Sequence, residues 1–269
     1  MPMYRTEYLL ACLAAAAIVS PARAGESWVK QADQLKSRKV TTGEVQKLEG
    51  EEEKDTRNKL SMRRINPGKG ASDWNTDPTA IPFMLYQVNK RTNLPVHIDN
   101  DGLKVGTKEL FENLIIYVTS HEGWGLDEKE TEYVSKWLKR GGTFLMDDCY
   151  NKGSPFSDCV APETGKLIPN AEAMVLLSTD PRVEDVFSML YRNAWPGENL
   201  LGRSWLYFML DGRPAVFFTP NDDGCGWEVS TPPTASNPIG EGIGHGGDNR
   251  LRELFYQWIT SWMMYVYSH

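Results

Sequence analysis

From about Lys59 onward, apolar and polar positions alternate along the chain with two periods, one of strands and one of helices. Leu114–Thr119 and Thr143–Met146 are continuous, largely apolar runs, the mark of strands buried on both faces. Between them Asp127 stands as a helix cap. Tyr133, Val134, Trp137 and Leu138 form the apolar stripe of a helix to Arg140, which Gly141-Gly142 ends. Upstream, Lys59–Ile65 reads as a first strand closed by Asn66-Pro67-Gly68. Asp77-Pro78 reads as the cap and first-turn proline of a helix to Arg91, and Leu94–Ile98 as a short strand. Downstream, Cys149 to Pro169 reads as loop, Ala171–Leu177 and Val183–Leu190 as helices. Leu206–Leu210 and Ala215–Thr219 form a hairpin about Asp211-Gly212. A Pro/Gly-rich loop, Thr231 to Gly247, leads to a C-terminal helix ending at Tyr267. The expected fold is α/β: a mostly parallel sheet flanked by helices on both faces, with one antiparallel hairpin near 206–219.

The first 58 residues break this pattern. Arg5, an apolar run from Tyr8 to Val19 and Ala22-x-Ala24 have the layout of a signal peptide cleaved after residue 24, so the chain is expected to be periplasmic or secreted. The rival lipoprotein reading at Leu9-Leu10-Ala11-Cys12 suffers because most of the apolar run follows Cys12. Residues 25–58 are charge-dense and predict a polar helical or mobile extension, and residues 59–269 a single α/β domain. The formal charge of −7 becomes −8 once Arg5, Glu7 and Arg23 are removed, which argues against nucleic acid and anionic lipid as partners. No stretch after the leader reaches the roughly 20 apolar residues of a membrane helix, so no stable membrane insertion is expected after cleavage. Cys149, Cys159 and Cys225 would remain. An oxidising compartment predicts one disulfide among them, with the pairing open. No two of them lie at C-x-x-C spacing, which makes a zinc reading of the cysteines poor.

In sheets of this class, ligands bind beyond the carboxyl ends of the strands. The residues there are therefore the candidates for chemistry. Ser120-His121-Glu122-Gly123-Trp124 follows the first core strand, Asp147-Asp148-Cys149 the second, and Asn221-Asp222-Asp223-Gly224-Cys225-Gly226-Trp227-Glu228 the hairpin. The expected binding residues are His121, Glu122, Trp124, Asp147, Asp148, Asp222, Asp223 and Trp227. The expected metal ligands are His121, Asp148 and Asp222, for a divalent ion. Asp147 and Asp148 alternate along a strand, so one of them is expected to face the cleft and the other to serve structure. Gly242-Ile-Gly244-His245-Gly-Gly247 matches a dinucleotide fingerprint but follows a Pro-rich loop instead of a strand. Gly224-Cys225-Gly226 resembles part of a nucleophile elbow but lacks the outer glycines, and neighbouring carboxylates would raise the thiol pKa.

Asp73-Trp-Asn-Thr-Asp-Pro78, the strand ending at His121-x-Gly123, Gly141-Gly142-Thr-Phe-Leu-Met-Asp-Asp-Cys149 and Asp222-Asp-Gly-Cys-Gly-Trp-Glu228 together resemble the bacterial domain of unknown function 4159. The resemblance covers about Lys59 to Tyr267. It implies a flavodoxin-like fold similar to class I glutamine amidotransferases and no established reaction. It matches His121, Asp147, Asp148 and the 222–228 loop to the family's motif positions. Members commonly show Gly-His-Gly where this chain has Ser120-His121-Glu122, and they often form parts of larger membrane-anchored proteins. The leading functional reading is a binding or accessory domain that holds a small ligand, a metal or a protein partner at the sheet edge. The alternative is a metal-dependent hydrolase using His121 and Asp147, Asp148, Asp222 or Asp223.

Overall fold

Side chains that alternate in and out of a strand must find cover on both sides when the strand lies at the centre of a sheet. This requirement organises the molecule. A computed structural model describes residues 58–67, 69–70, 72–149, 154–176, 204–231, 234–242 and 249–269. Eight strands occur there: β1 (Arg63–Arg64), β2 (Lys69–Gly70), β3 (Ile115–Ser120), β4 (Trp124–Gly125), β5 (Thr143–Asp148), β6 (Ala173–Val175), β7 (Leu206–Leu210) and β8 (Arg213–Thr219). The helices are α1 (Ala80–Thr92), α2 (Glu128–Lys139), α3 (Pro155–Leu167), α4 (Asp223–Trp227) and α5 (Asn249–Ser268), with a 3-10 turn at Lys108–Glu112.

Six strands form one mixed sheet in the order β1-β3-β5-β8-β7-β6, and β2 pairs with β4 apart from it. β1, β3, β5 and β8 are parallel, with Tyr117 opposite Leu145 and Leu145 opposite Phe217. β7 and β6 continue the sheet antiparallel. The expected hairpin is present, and its turn residues Asp211 and Gly212 both take positive φ.

The sheet's two faces carry two cores. Tyr117, Leu145 and Phe217 pack with α1 (Ile81, Met84, Leu85) and α5 (Phe255, Trp258, Trp262), whereas Ile116, Val118, Phe144 and Val216 pack with α2 (Val134, Trp137, Leu138) and α3 (Phe156, Val160). Consecutive strand residues thus serve opposite cores, as period-two alternation requires. The Asp127 cap is realised in full. Its carboxylate accepts from Glu130 N and the Glu130 side chain accepts from Asp127 N, a reciprocal capping box.

Four local expectations are corrected. Cys149 to Pro169 is not all loop: Ser154 caps α3 through the amides of Phe156 and Ser157, and Pro155 occupies the first turn, where its missing N–H costs nothing. Ala171–Leu177 is not a helix. Residues 173–175 pair with β7, because an edge position on the sheet overrides their helix propensity. Leu94–Ile98 contributes a single bridge, Val96 to Leu60, in place of a strand. Asp77 does not cap α1: it takes φ +53° and its carboxylate turns elsewhere, and Thr79 holds the cap position. The leader, the 25–57 extension, the helix at 183–190 and His245 lie outside the described residues. Among those described, no helix is long and apolar enough to cross a membrane.

The α5 face supplies an early test. Trp262 is fully buried, edge-on to Phe217 at 5.3 Å and to Trp205 at 5.9 Å. Trp262→Ala should lower unfolding free energy by about 3–5 kcal/mol, read from the urea midpoint at unchanged slope. A loss under about 1 kcal/mol would mean that this face is not the closed core described.

Candidate functional site

Because β3, β5 and β8 run parallel, the residues following Ser120, Asp148 and Thr219 emerge side by side, as expected. The chain leaves β8 through Asn221 and Asp222. Asp222 adopts a left-handed conformation (φ 58°, ψ 50°) that turns it abruptly into α4. Short polar residues tolerate this conformation best, which explains an aspartate there. Two residues on, the backbone passes against side chains from other elements. A Cβ on Gly224 would lie 2.6 Å from the Tyr117 hydroxyl, 2.7 Å from Asp77 Oδ2 and 3.2 Å from Asp147 Oδ2. Only glycine fits.

Asp147, at the end of β5, fixes the arrangement. Its fully buried carboxylate accepts hydrogen bonds from the Tyr117 hydroxyl (2.7 Å), Gly224 N (2.7 Å) and Asp223 N (3.1 Å). Burial and then the nearby Asp222 nevertheless push its pKa well up, against those three donors. The Asp223 carboxyl is also fully buried, and burial followed by Asp147 raises it well above the usual range. Each buried carboxyl thus disfavours the charge on the other. Tyr117, beneath them, is pushed up by the same burial and by Asp147.

Around this support four ligand-bearing side chains converge. One ligand atom each from Asp77, Cys149, Asp222 and Cys225 lies within 4.8 Å of all the others. The Cys149 thiol donates to Asp77 Oδ2 at 3.5 Å, the Cys225 thiol donates to Asp77 Oδ1 at 3.2 Å, and the two sulfurs are 3.9 Å apart. Cys149, Cys159 and Cys225 are all thiols, with no disulfide among the described residues. Asp77 reaches this position because Arg64, buried beneath its loop, donates to the carbonyls of Trp74, Thr76 and Asp77, the last at 2.8 Å. The same guanidinium lies over the Tyr117 ring at 5.3 Å. Cys149 feels a downward pull from its hydrogen bond with Cys225. Burial and the carboxylates of Asp77, Asp222 and Asp147 outweigh it and push the thiol up to about 12. Cys225 is raised further, first by its contact with Cys149, then by burial and by Asp77.

His121 sits at the margin, its side chain 48% exposed. Its Nδ1 lies 2.7 Å from Asp73 Oδ2, its backbone N–H donates to the same oxygen at 2.8 Å, and Ser120 Oγ donates to Asp73 Oδ1. Burial raises the Asp73 pKa, yet the bonds from Ser120 and His121 outweigh it and leave it below the usual value. His121 Nε2 points to Cys149 Sγ at 3.4 Å. A carboxylate, an imidazole and a thiol thus stand in line at the edge of the cluster.

The structure divides the residues expected from sequence. Asp222 belongs to the four-residue cluster, Asp147 and Asp223 support it from below, and His121 stands beside it. Asp148 faces away, as strand alternation requires, and accepts from Ser157 Oγ on α3. The expected metal trio of His121, Asp148 and Asp222 is therefore not assembled: of the three, Asp222 alone is in the cluster. Glu122 turns to Ser72, which donates to it through its hydroxyl (2.9 Å) and backbone N–H (3.2 Å). Trp124 packs against Phe144 and Phe156, and Trp227 is buried against Tyr117. Both tryptophans are core. Sequence reasoning missed Asp77 and Asp73 and assigned Cys149 and Cys225 to other roles. The Asp73-x-x-x-Asp77 pair upstream of a helix was the available signal, but it reads as ordinary capping.

The family model described as "Domain of unknown function (DUF4159)" matches residues 62–266. No curated protein matches the chain.

A neighbouring group gives the site a pH signature. Glu228 accepts from Thr79 Oγ1 (3.2 Å) and Thr79 N (3.4 Å), and burial followed by Asp77 lifts its pKa to about 7. A carboxyl raised in the folded state stabilises the fold fully below its unfolded pKa, and that contribution is lost as pH rises through the folded value. With chelator present, the protein should lose on the order of 2–3 kcal/mol through Glu228 between about pH 4.5 and 7.5. Glu228→Gln keeps an acceptor for Thr79 and should remove that share of the slope. A loss of unfolding free energy between pH 5 and 8 that is the same in the parent protein and in Glu228→Gln, read from denaturant titrations, would refute the assignment.

Proposed function

Because this chain belongs to the DUF4159 family, whose description names no reaction, we propose from its own site chemistry that it is a metal-holding domain. A borderline-soft divalent cation of the zinc type is its ligand, and Asp77, Cys149, Asp222 and Cys225 are the donors. The signal-peptide layout of residues 1–24 supports a role for it outside the cytoplasm.

One observation carries the reading: four donor atoms from three distant segments lie within 4.8 Å of one another. With zinc–sulfur bonds of about 2.3 Å and zinc–oxygen bonds of about 2.0–2.2 Å, a tetrahedron has sulfur–sulfur edges of about 3.8 Å and sulfur–oxygen edges of about 3.5 Å. The sulfurs are 3.9 Å apart, and the thiol-to-carboxylate distances are 3.5 and 3.2 Å. Electrostatics supports the same conclusion. The carboxylates of Asp77 and Asp222 beside the two thiols oppose thiolate formation and push both thiol pKa values up, and a dication turns that penalty into attraction. Two sulfurs favour zinc over magnesium or calcium.

The hydrolytic alternative draws on His121, oriented by Asp73 beside the cluster. A catalytic centre keeps an open ligand position, however, and four protein donors close the tetrahedron. Binding is the reading the donor count favours.

The reduced protein should take up about one zinc per chain, with proton release and with affinity falling towards acid pH, because both thiols must ionise. Cys149→Ser or Cys225→Ser should weaken binding by more than the roughly 10–100-fold typical of outer partners. Asp148→Asn should leave it intact. Metal analysis after dialysis and the thermal shift on zinc addition read the outcome. Uptake below about a tenth of an equivalent, or uptake unchanged in both cysteine variants, would reject the site.

A further inference from the structure

The two sulfur donors are also each other's neighbours. Cys149 follows the end of β5 and Cys225 lies within α4, so 76 residues separate them along the chain, yet their Sγ atoms are 3.9 Å apart as free thiols. A disulfide needs about 2.05 Å. The remaining gap is about 1.9 Å, and each sulfur swings on its own Cα–Cβ bond. Asp77 hydrogen-bonds to both thiols and so holds them towards one point.

We propose that Cys149 and Cys225 form a reversible disulfide by exchange with a small-molecule disulfide, and that this oxidation releases the metal. The inference rests on the metal-holding reading above. The two thiolates are half of the donor set. Joined as cystine they carry no charge and bind zinc poorly, leaving Asp77 and Asp222, too few donors to retain it.

His121 marks the side of Cys149 nearest solvent, because it is half-exposed, oriented by Asp73, and 3.4 Å from Cys149 Sγ. The Cys149 thiolate attacks one sulfur of R–S–S–R, forming a Cys149–S–S–R bond as the R–S–S–R bond breaks. The first R–S⁻ leaves and takes a proton from water. The Cys225 thiolate then attacks the Cys149 sulfur, forming the internal disulfide and expelling the second R–S⁻, which takes a proton from water. Two thiolates lose two electrons in all. The small disulfide gains them with two protons to become two R–SH, and the dication is set free.

Oxidised glutathione is the probe. Zinc-loaded protein is mixed with it, and released zinc is followed with a chromogenic chelator. Peptide mapping reads the two-hydrogen mass loss and the Cys149–Cys225 cross-link. The expected result is zinc release in step with that cross-link, reversal by dithiothreitol and fresh zinc, and an unchanged response in Cys159→Ser. Zinc retained under excess oxidised glutathione, or release dependent on Cys159, overturns the inference while the metal site stands. A reduced chain that takes up no zinc overturns the metal-holding reading itself.

Discussion

The edge of this sheet is held by one carboxylate. Asp147 gathers the Tyr117 hydroxyl from β3 and the amides of Asp223 and Gly224 from the turn after β8 onto the end of β5. A donor or acceptor buried without a partner is costly, so each of these bonds has to be made. Those three donors therefore dictate the path of the chain through Asp222 and Gly224. Where that turn goes, Asp222 and Cys225 go with it, and Cys149 is two residues beyond Asp147 along the same strand exit. The cluster follows from satisfying Asp147.

The arrangement concentrates acid where the fold is least able to solvate it. Asp77, Asp147, Asp222 and Asp223 are all buried at one end of the molecule, with the Arg64 guanidinium under the Asp77 loop as a compensating charge. Several pKa values shift upward together, and the same crowding makes the thiols poor nucleophiles in the absence of a cation. The nucleophile-elbow reading of Gly224-Cys225-Gly226 fails on this ground as well as on its missing outer glycines. A site that destabilises itself when empty has to rest on rigid supports. The Trp205, Trp258 and Trp262 packing against Phe217 supplies that rigidity on one face of the sheet.

Much of the fold was legible because burial writes itself into period. Runs such as Leu114–Thr119 need cover on both faces, and Asp127 with Glu130 is a cap that reads the same in sequence and in space. Adjacency of the three strand exits followed from parallel pairing alone. What stayed hidden depends on tertiary contacts. Asp77-Pro78 carries the signature of a helix cap, and nothing local says that Arg64 will hold that loop so that the carboxylate swings into a site instead. Cys149 and Cys225 have no motif spacing, because their proximity is created by β5 and β8 lying side by side. The α3 helix was read as loop because Pro162 and Gly165 interrupt its sequence, whereas its packing against β5 and α2 outweighs the propensity cost.

A donor set assembled from residues 77, 149, 222 and 225 belongs to no single element, so a bound cation would tie the loop before α1 to β5 and α4 at once. Binding to such a site is linked to folding: whatever the ion contributes is withdrawn from the same three segments when it leaves. Asp77, which hydrogen-bonds to both thiols, makes the coupling specific. With the ion present it is a ligand; with the ion gone and the sulfurs joined, it loses both of its thiol donors and faces Asp222 inside the protein. That unpaired charge is the physical reason an oxidised, empty site should differ in conformation at the sheet edge and not merely in composition.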